Sequence, residues 1–212
     1  MNKPLAIYGA GGLGREVLSL LRLLPEWEVV GFYDDGLRSG TSVKEGLKVI
    51  GGFGELIKIR KPLNIVLSFG LPEIKQRLSA SLKVNEMIHF PVLVHPSVIL
   101  QDRASIVLDP GCIIGAGSIL TTDIHLHPHV LINLNCTLGH DVEVGACSSV
   151  MPGVNLAGEV NIGEGVLIGS GANIINRIAI GSHSKIGAGA VVIKSVPPHV
   201  TAVGVPARII KS

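Results

Sequence analysis

The chain has 212 residues, 47% of them hydrophobic and only 16% charged, with a formal net charge of +2. No long basic run points to nucleic acid, and no apolar stretch approaches the roughly 20 residues of a membrane-spanning helix. The high apolar content therefore asks for a large dry interior, and the length suits one or two domains. The amino terminus reads as a strand entering a glycine-rich loop, not as a basic segment followed by a signal core. Cys112, Cys136 and Cys147 are an odd set, expected as reduced space-fillers in a cytoplasmic protein.

In chain order, Leu5-Ala6-Ile7-Tyr8 predicts a short strand, Gly9-Ala10-Gly11-Gly12-Leu13-Gly14 a tight loop, and Arg15 to Leu21 a helix closed by Pro25. Val29 to Tyr33 is the second strand, running into Asp34-Asp35, with Asp34 placed 20 residues past the last glycine of the loop. A G-x-G-x-x-G run between a strand and a helix permits close backbone approach, and the helix start offers N–H groups to a phosphate. An acid at the end of the second strand can accept a hydrogen bond from a ribose or a base. A loop with Ser39-Gly40-Thr41-Ser42, a strand at Lys48-Val49-Ile50 and a helix around Glu55-Leu56-Ile57 follow. Asn64 to Ser68 reads as a buried parallel strand. Gly70 sits at its carboxyl end, and Pro72 opens a helix carrying Lys75, Gln76 and Arg77. Phe90 to Val94 is the candidate last strand, with His95-Pro96 as the handover, so the first domain is expected over 1–94. That is one mononucleotide-binding half plus a strand or two, which favours a nucleotide or nucleotide-linked sugar over NAD.

From Leu108 to Val192 every sixth residue is aliphatic, fifteen consecutive positions without a gap. At the overall hydrophobic frequency, chance gives roughly 10⁻⁵ for one frame. A six-residue period suits a short strand plus a corner, repeated. Three such units close a triangular coil, and coils stack as parallel strands. The predicted inward stacks are Leu108, Leu126, Val144, Ile162, Ile180; then Ile114, Ile132, Val150, Ile168, Ile186; then Leu120, Leu138, Leu156, Ile174, Val192. The glycines that often follow the aliphatic residue are expected to make the tight turns. The repeats stop at Val196-Pro197-Pro198, and the second domain is expected over 95–212.

Seven of the eight histidines fall at or after His95. His125 and His127 flank the inward Leu126, so both point outward, and with His129 they form His-x-His-x-His. Glu143 is expected beside His125 on the next coil. The trimeric γ-class carbonic anhydrases hold zinc with two histidines five residues apart on one subunit. No histidine pair here has that spacing, so the cluster reads as solvated or interfacial and no metal is expected. His140 is the stronger candidate. It follows Leu138-Gly139 at an outer corner, with Asp141 next to it and Gly158 one coil away, where the missing side chain leaves room for a ligand. Contact between His140 and Asp141 requires a bend in the chain, as a corner provides.

Hexapeptide repeats of this kind resemble the left-handed β-helix acyltransferases. The run Asn133-Leu134-Asn135-Cys136-Thr137-Leu138-Gly139-His140-Asp141, with Pro152-Gly153, Leu156-Ala157-Gly158 and Ile162-Gly163, resembles the core of the sialic-acid and bacillosamine-pathway sugar acetyltransferases. The glycine loop, Asp34-Asp35, Gly70 and the closing Gly204-Val205-Pro206-Ala207 fall in the matching order. The resemblance implies a Rossmann-like nucleotide-sugar-binding domain, then an all-β left-handed parallel β-helix, assembled as a homotrimer with sites between subunits. By the same resemblance His140 is the general base, Asp141 the acid that increases its basicity, and Asn133 a neighbour of the active site. Gly11, Gly12, Leu13, Asp34, Asp35 and Gly70 would contact the nucleotide sugar, and Ser149, Gly158, Ser170 and Ala188 acetyl-CoA. Ser149 stands where members often carry His, and Leu13 where they often carry a polar residue or His. The activity implied is acetyl transfer from acetyl-CoA to an amino group on a nucleotide-linked aminodeoxysugar. The alternatives are O-acetylation of sialic acid or a related sugar, and a nucleotide-sugar-binding protein without catalysis.

Overall fold

The computed structural model describes residues 2–211. The chain divides into two units: one runs to Gly70 and resumes over Ile74–Pro91, the other takes Leu71–Glu73 and everything from Val92 onward.

The first unit is built on β1 (Lys3–Tyr8), α1 (Gly12–Leu21), β2 (Trp27–Tyr33), β3 (Ser42–Lys44), β4 (Leu47–Gly51), α2 (Phe53–Leu56), β5 (Leu63–Leu67), α3 (Pro72–Leu82) and β6 (Ile88–His89). Its sheet has the order β3-β4-β2-β1-β5-β6, parallel except where β3 turns back against β4. The central strand β1 ends in four consecutive buried residues, as a strand covered on both faces must. α1 lays Val17, Leu18 and Leu21 inward, the spacing of one helix face. Two expectations change. Ser42 belongs to an edge strand and not to a loop. The predicted strand over Phe90 to Val94 is cut by Pro91, so that Ile88–His89 closes this sheet while Leu93–Val94 pairs with Ile113–Ile114 of the second unit. The second unit therefore begins at Val92, ahead of the expected handover at His95.

The second unit is a left-handed parallel β-helix of two-residue strands in three sheets. All three inward stacks stand as the period predicts: Leu126 pairs with Val144, Ile132 with Val150 and Leu138 with Leu156, with the same 18-residue step along each ladder. These aliphatic residues are almost fully buried, and the residues two places earlier, such as Val130, Cys136 and Val154, complete the interior. The coil starts earlier than the period suggests. Val94 pairs with Ile114 and Leu100 with Leu120, 20 residues apart, because the corner carrying the short 3₁₀ turn Arg103–Ser105 holds two extra residues. That insertion hides the first coil from a fixed six-residue frame. At the far end Thr201–Val203 adds one more parallel strand, and Arg208–Lys211 folds back antiparallel on it.

The turns are made differently from the expectation. The left-handed backbone recurs at every sixth residue from Gly111 to Gly189, three places before the inward aliphatic, and is taken by Asp123, His129, Asn135, Asp141, Cys147, Glu159, Arg177 and His183 as well as by glycine. The glycines directly after the inward residue serve close stacking instead. A Cβ on Gly145 would lie 2.5 Å from the carbonyl carbon of Gly163, and one on Gly139 2.7 Å from the amide nitrogen of Gly158. Cys112, Cys136 and Cys147 are buried, and no disulfide links the described residues. No helix among those residues is long and apolar enough to cross a membrane.

Candidate active site

His140 sits at the corner between the Thr137–Leu138 and Glu143–Val144 strands. Asp141 takes the left-handed backbone there, with φ 58°. That turn swings its carboxylate back, and its Oδ2 lies 2.8 Å from His140 Nδ1. An ionised carboxylate only accepts, so it fixes the proton on Nδ1 and leaves the Nε2 lone pair for chemistry. The two side chains are 56% and 58% exposed, so an incoming group can reach them. The ring lies against Gly158, where a Cβ would come 2.4 Å from Nε2. Gly158 is buried beneath the imidazole. The space its missing side chain leaves is filled by the His140 ring. From below, the Asp141 N–H donates to the Thr122 carbonyl at 3.2 Å, and the Glu159 N–H donates to the His140 carbonyl at 2.8 Å. The dyad is thus anchored to both neighbouring coils.

The other expected residues of this unit separate into two groups. Asn133 stands one corner back, seven residues before His140, and its Oδ1 accepts from the Leu134 N–H at 2.8 Å, so it shapes its own turn. Ser170 and Ala188 are exposed and stacked on successive coils of that same corner, open to a cosubstrate. Ser149 is not. It is fully buried, and its Oγ lacks a hydrogen-bond partner. In this chain the Ser149 hydroxyl is not presented at the surface where acetyl-CoA is expected. Thr121, unremarked in the sequence, carries the same kind of orphan buried hydroxyl. Ile178 is buried, whereas Ile175 and Ile193 are exposed.

In the first unit the loop after β1 is shaped by its own acids. Asp34 Oδ2 accepts from the Ala10 N–H and Oδ1 from the Gly36 N–H, each at 2.8 Å. Asp35 accepts from the Tyr8 hydroxyl at 2.6 Å and from the Phe53 N–H at 2.7 Å. Burial first, then the bond to Asp35, pushes the Tyr8 phenol well above its usual range. Both carboxylates are thus engaged in holding loops together, where sequence reasoning gave them to a ribose or base. The Ser68 hydroxyl, buried at the end of β5, lies 2.8 Å from the carbonyls of both Tyr8 and Gly9 and pins this edge. Gly14 lets α1 approach the loop, since its Cβ would strike the Gly9 carbonyl. Around Gly11, Gly12 and Gly70, by contrast, a Cβ would meet nothing within 4 Å, so packing does not demand these glycines. Leu13 is half-buried in the first turn of α1, which carries no acidic residue. An open pocket of ≈ 480 Å³ borders Asp34, Asp35, Gly52, Phe53 and Glu55. Glu55 accepts from the Gly52 N–H at 2.8 Å, and that bond holds its carboxyl below the usual range.

In the histidine cluster Glu143 lies beside His125 on the next coil, as expected. His125 is in register with Glu143, yet the Glu143 carboxylate meets His127 Nε2, at 2.7 Å. His129 is nearly buried over Gly111 and lies apart from the other two. The residue missed was Asp109, 18 positions before His127 and so one coil below it; its Oδ2 lies 3.1 Å from His125 Nε2. The same 18-residue step that places Glu143 beside His125 places Asp109 beside His127.

Two family models match the chain: the PglD N-terminal domain over residues 4–82, and the bacterial transferase hexapeptide, six repeats, over residues 159–194. No curated protein matches the sequence. Among solved structures, a histidine-to-asparagine mutant of perosamine N-acetyltransferase from Caulobacter crescentus, in complex with CoA and GDP-perosamine, superposes with a TM-score of 0.90 at 28% identity, covering 99% of this chain and 97% of that one. WeeI from Acinetobacter baumannii gives 0.88 at 27% identity, over 99% of this chain and all of that one. The acetyltransferase domain of PglB from Neisseria gonorrhoeae, in complex with acetyl coenzyme A, gives 0.76 at 28% identity, with coverage of 99% and 100%.

Proposed function

We propose that this chain, which resembles the hexapeptide-repeat sugar acetyltransferases, moves acetyl from acetyl-CoA to the amino group of a nucleotide-linked aminodeoxysugar, with His140 as general base. Its structural neighbours include a perosamine N-acetyltransferase in complex with CoA and an acetyltransferase domain; the acceptor and the base are our inference. The observation that carries the reading is the exposed His140–Asp141 pair, with Nδ1 tied to the carboxylate at 2.8 Å and Nε2 left to accept a proton. The amine nitrogen attacks the thioester carbonyl carbon directly. As the C–N bond forms, Nε2 takes the proton lost by the amine. Collapse of the tetrahedral intermediate breaks the C–S bond, and CoA leaves as the thiol after taking a proton from the imidazolium. No covalent enzyme intermediate is needed.

A nucleotide-linked acceptor is supported by the relative that binds GDP-perosamine and by the open glycines Gly11, Gly12 and Gly70, the free first turn of α1 and the pocket beside Asp34 and Asp35. In this reading the two acids shape the nucleotide loop, and the backbone N–H groups they orient do the binding. Ser170 and Ala188 line the track for the CoA arm. The same reading includes a homotrimer with sites between subunits, for which the exposed Leu134, Ile175 and Ile193 offer apolar contact, and a cytoplasmic setting in which the buried thiols stay reduced. Thiol release from acetyl-CoA, measured with a panel of nucleotide-linked amino sugars and their hydroxy counterparts, tests the acceptor. Turnover with an amino sugar and an amide in the product support the reading; turnover confined to hydroxy sugars ends it. Light scattering of the purified protein tests the trimer.

A further inference from the structure

We propose that Asp109, His125 and His127 form a binding site for one divalent metal ion of the zinc class, on a different corner of the β-helix from His140. The three offer one ligand atom each, and these atoms all lie within 4.8 Å of one another. Asp109 Oδ2 is 3.1 Å from His125 Nε2 and 3.7 Å from His127 Nδ1. Two ligands held at about 2.0–2.1 Å in a tetrahedron around zinc stand about 3.3 Å apart, and the two measured separations bracket that value. The longer separation is beyond hydrogen-bonding distance.

A second observation, independent of those distances, points the same way. His127 Nε2 lies 2.7 Å from Glu143 Oε1, and the Asn161 amide donates to the other oxygen of Glu143 at 3.2 Å. A carboxylate accepting from the far nitrogen of an imidazole fixes that ring with its other nitrogen as a lone pair, the second shell characteristic of metal-bound histidine. With Glu143 on Nε2, Nδ1 is the nitrogen that His127 turns toward the Asp109 carboxylate. Two imidazoles and one carboxylate, with space for a water, suit a borderline divalent ion such as Zn²⁺ or Co²⁺ and not a hard ion that prefers oxygen ligands alone. The ligands come from adjacent coils, with Glu143 on the next, so a bound ion would tie three successive turns of the solenoid at its edge. The acetyl transfer proposed above does not use it.

The test uses untagged full-length protein, stripped with a chelator and titrated with Zn²⁺ by calorimetry and with Co²⁺ by absorption. The expected result is one ion per chain, the intense visible bands of four-coordinate Co²⁺, and a rise in Tm with Zn²⁺. Asp109→Asn, His125→Ala and His127→Ala should each weaken Zn²⁺ binding at least tenfold, and Glu143→Gln about tenfold with the stoichiometry kept. The four side chains are 30–49% exposed, and circular dichroism verifies that the variants stay folded. Absence of zinc binding by the wild type, or equal affinity in His127→Ala, overturns the site.

Discussion

Two histidines of the β-helix lie in almost the same surroundings and differ in what they can do. His140 rests on Gly158, where a Cβ would come 2.4 Å from the ring; His129 rests on Gly111, where a Cβ would come 2.3 Å from it. The glycine in each case stands 18 residues away, one coil over. His129, however, takes the left-handed backbone itself, at φ 61°, and is 9% exposed. Beside His140 the left-handed residue is Asp141, and the histidine side chain is 56% exposed. A glycine across from an imidazole is therefore a packing device common to both and marks no ligand site. What separates the two is a one-residue difference in phase against the corner. In one case the turn residue is the histidine, packed down; in the other it is a carboxylate that orients a histidine left open to solvent.

That contrast can be broken or sharpened by substitution. The largest effect is expected from His140→Ala, which should lower kcat about 10²–10⁴-fold while CoA binding, read by calorimetry, persists. His129→Ala should leave kcat near the wild-type value, and equal losses from both variants would erase the distinction. Next comes Asp141→Asn, expected to cost roughly 10²-fold in kcat/KM, because the amide can present an N–H to Nδ1 and drive the proton to the wrong nitrogen. Recovery with Asp141→Glu would identify orientation by a carboxylate as the cause. Denaturant unfolding should then show His129→Ala destabilised by about 1–3 kcal/mol through lost buried bonding. Gly111→Ala should cost about 1–2 kcal/mol for its left-handed backbone alone, with more for displacing the ring. The smallest effect is expected from Ser149→Ala. Its hydroxyl is buried without a partner, so removal should be neutral or stabilising by up to about 1 kcal/mol, with the KM for acetyl-CoA unchanged. A marked rise in that KM would return Ser149 to the cosubstrate site.

Where period and spacing carried the reasoning, the outcome matched closely. The stacks of Leu126 on Val144 and Ile168 on Ile186 follow from adding 18, because a parallel coil without insertions has only one register. The first coil escaped because two extra residues at the Arg103–Ser105 corner moved Leu100 out of frame. Pro91 escaped for a related reason: an apolar run says strand but not which sheet it joins. In the candidate site, the corner placement of His140 was legible, and so was the need for a bend at Asp141. The partners of Asp34 and Asp35 were not, because Tyr8, Ala10 and Phe53 lie on three different segments of chain. The burial of Ser149 was not legible either, because strand alternation says which face a side chain takes and not whether that face stays exposed.

The sequence alone determined the solenoid. A six-residue aliphatic period closes only as a triangular coil, and each added coil repeats the same inward layer at the same register. It also determined the kinds of groups at each corner, since those positions keep their phase from coil to coil. Tertiary structure alone decided which polar groups remain available. Asp34 and Asp35 satisfy loop N–H groups and a buried phenol, while Asp109 comes up beneath two histidines and His140 is left with an open nitrogen. The physical reason is that a hydrogen bond is settled by distance and direction in space, and neighbours from separate segments compete for the same carboxylate in a way that linear spacing does not record.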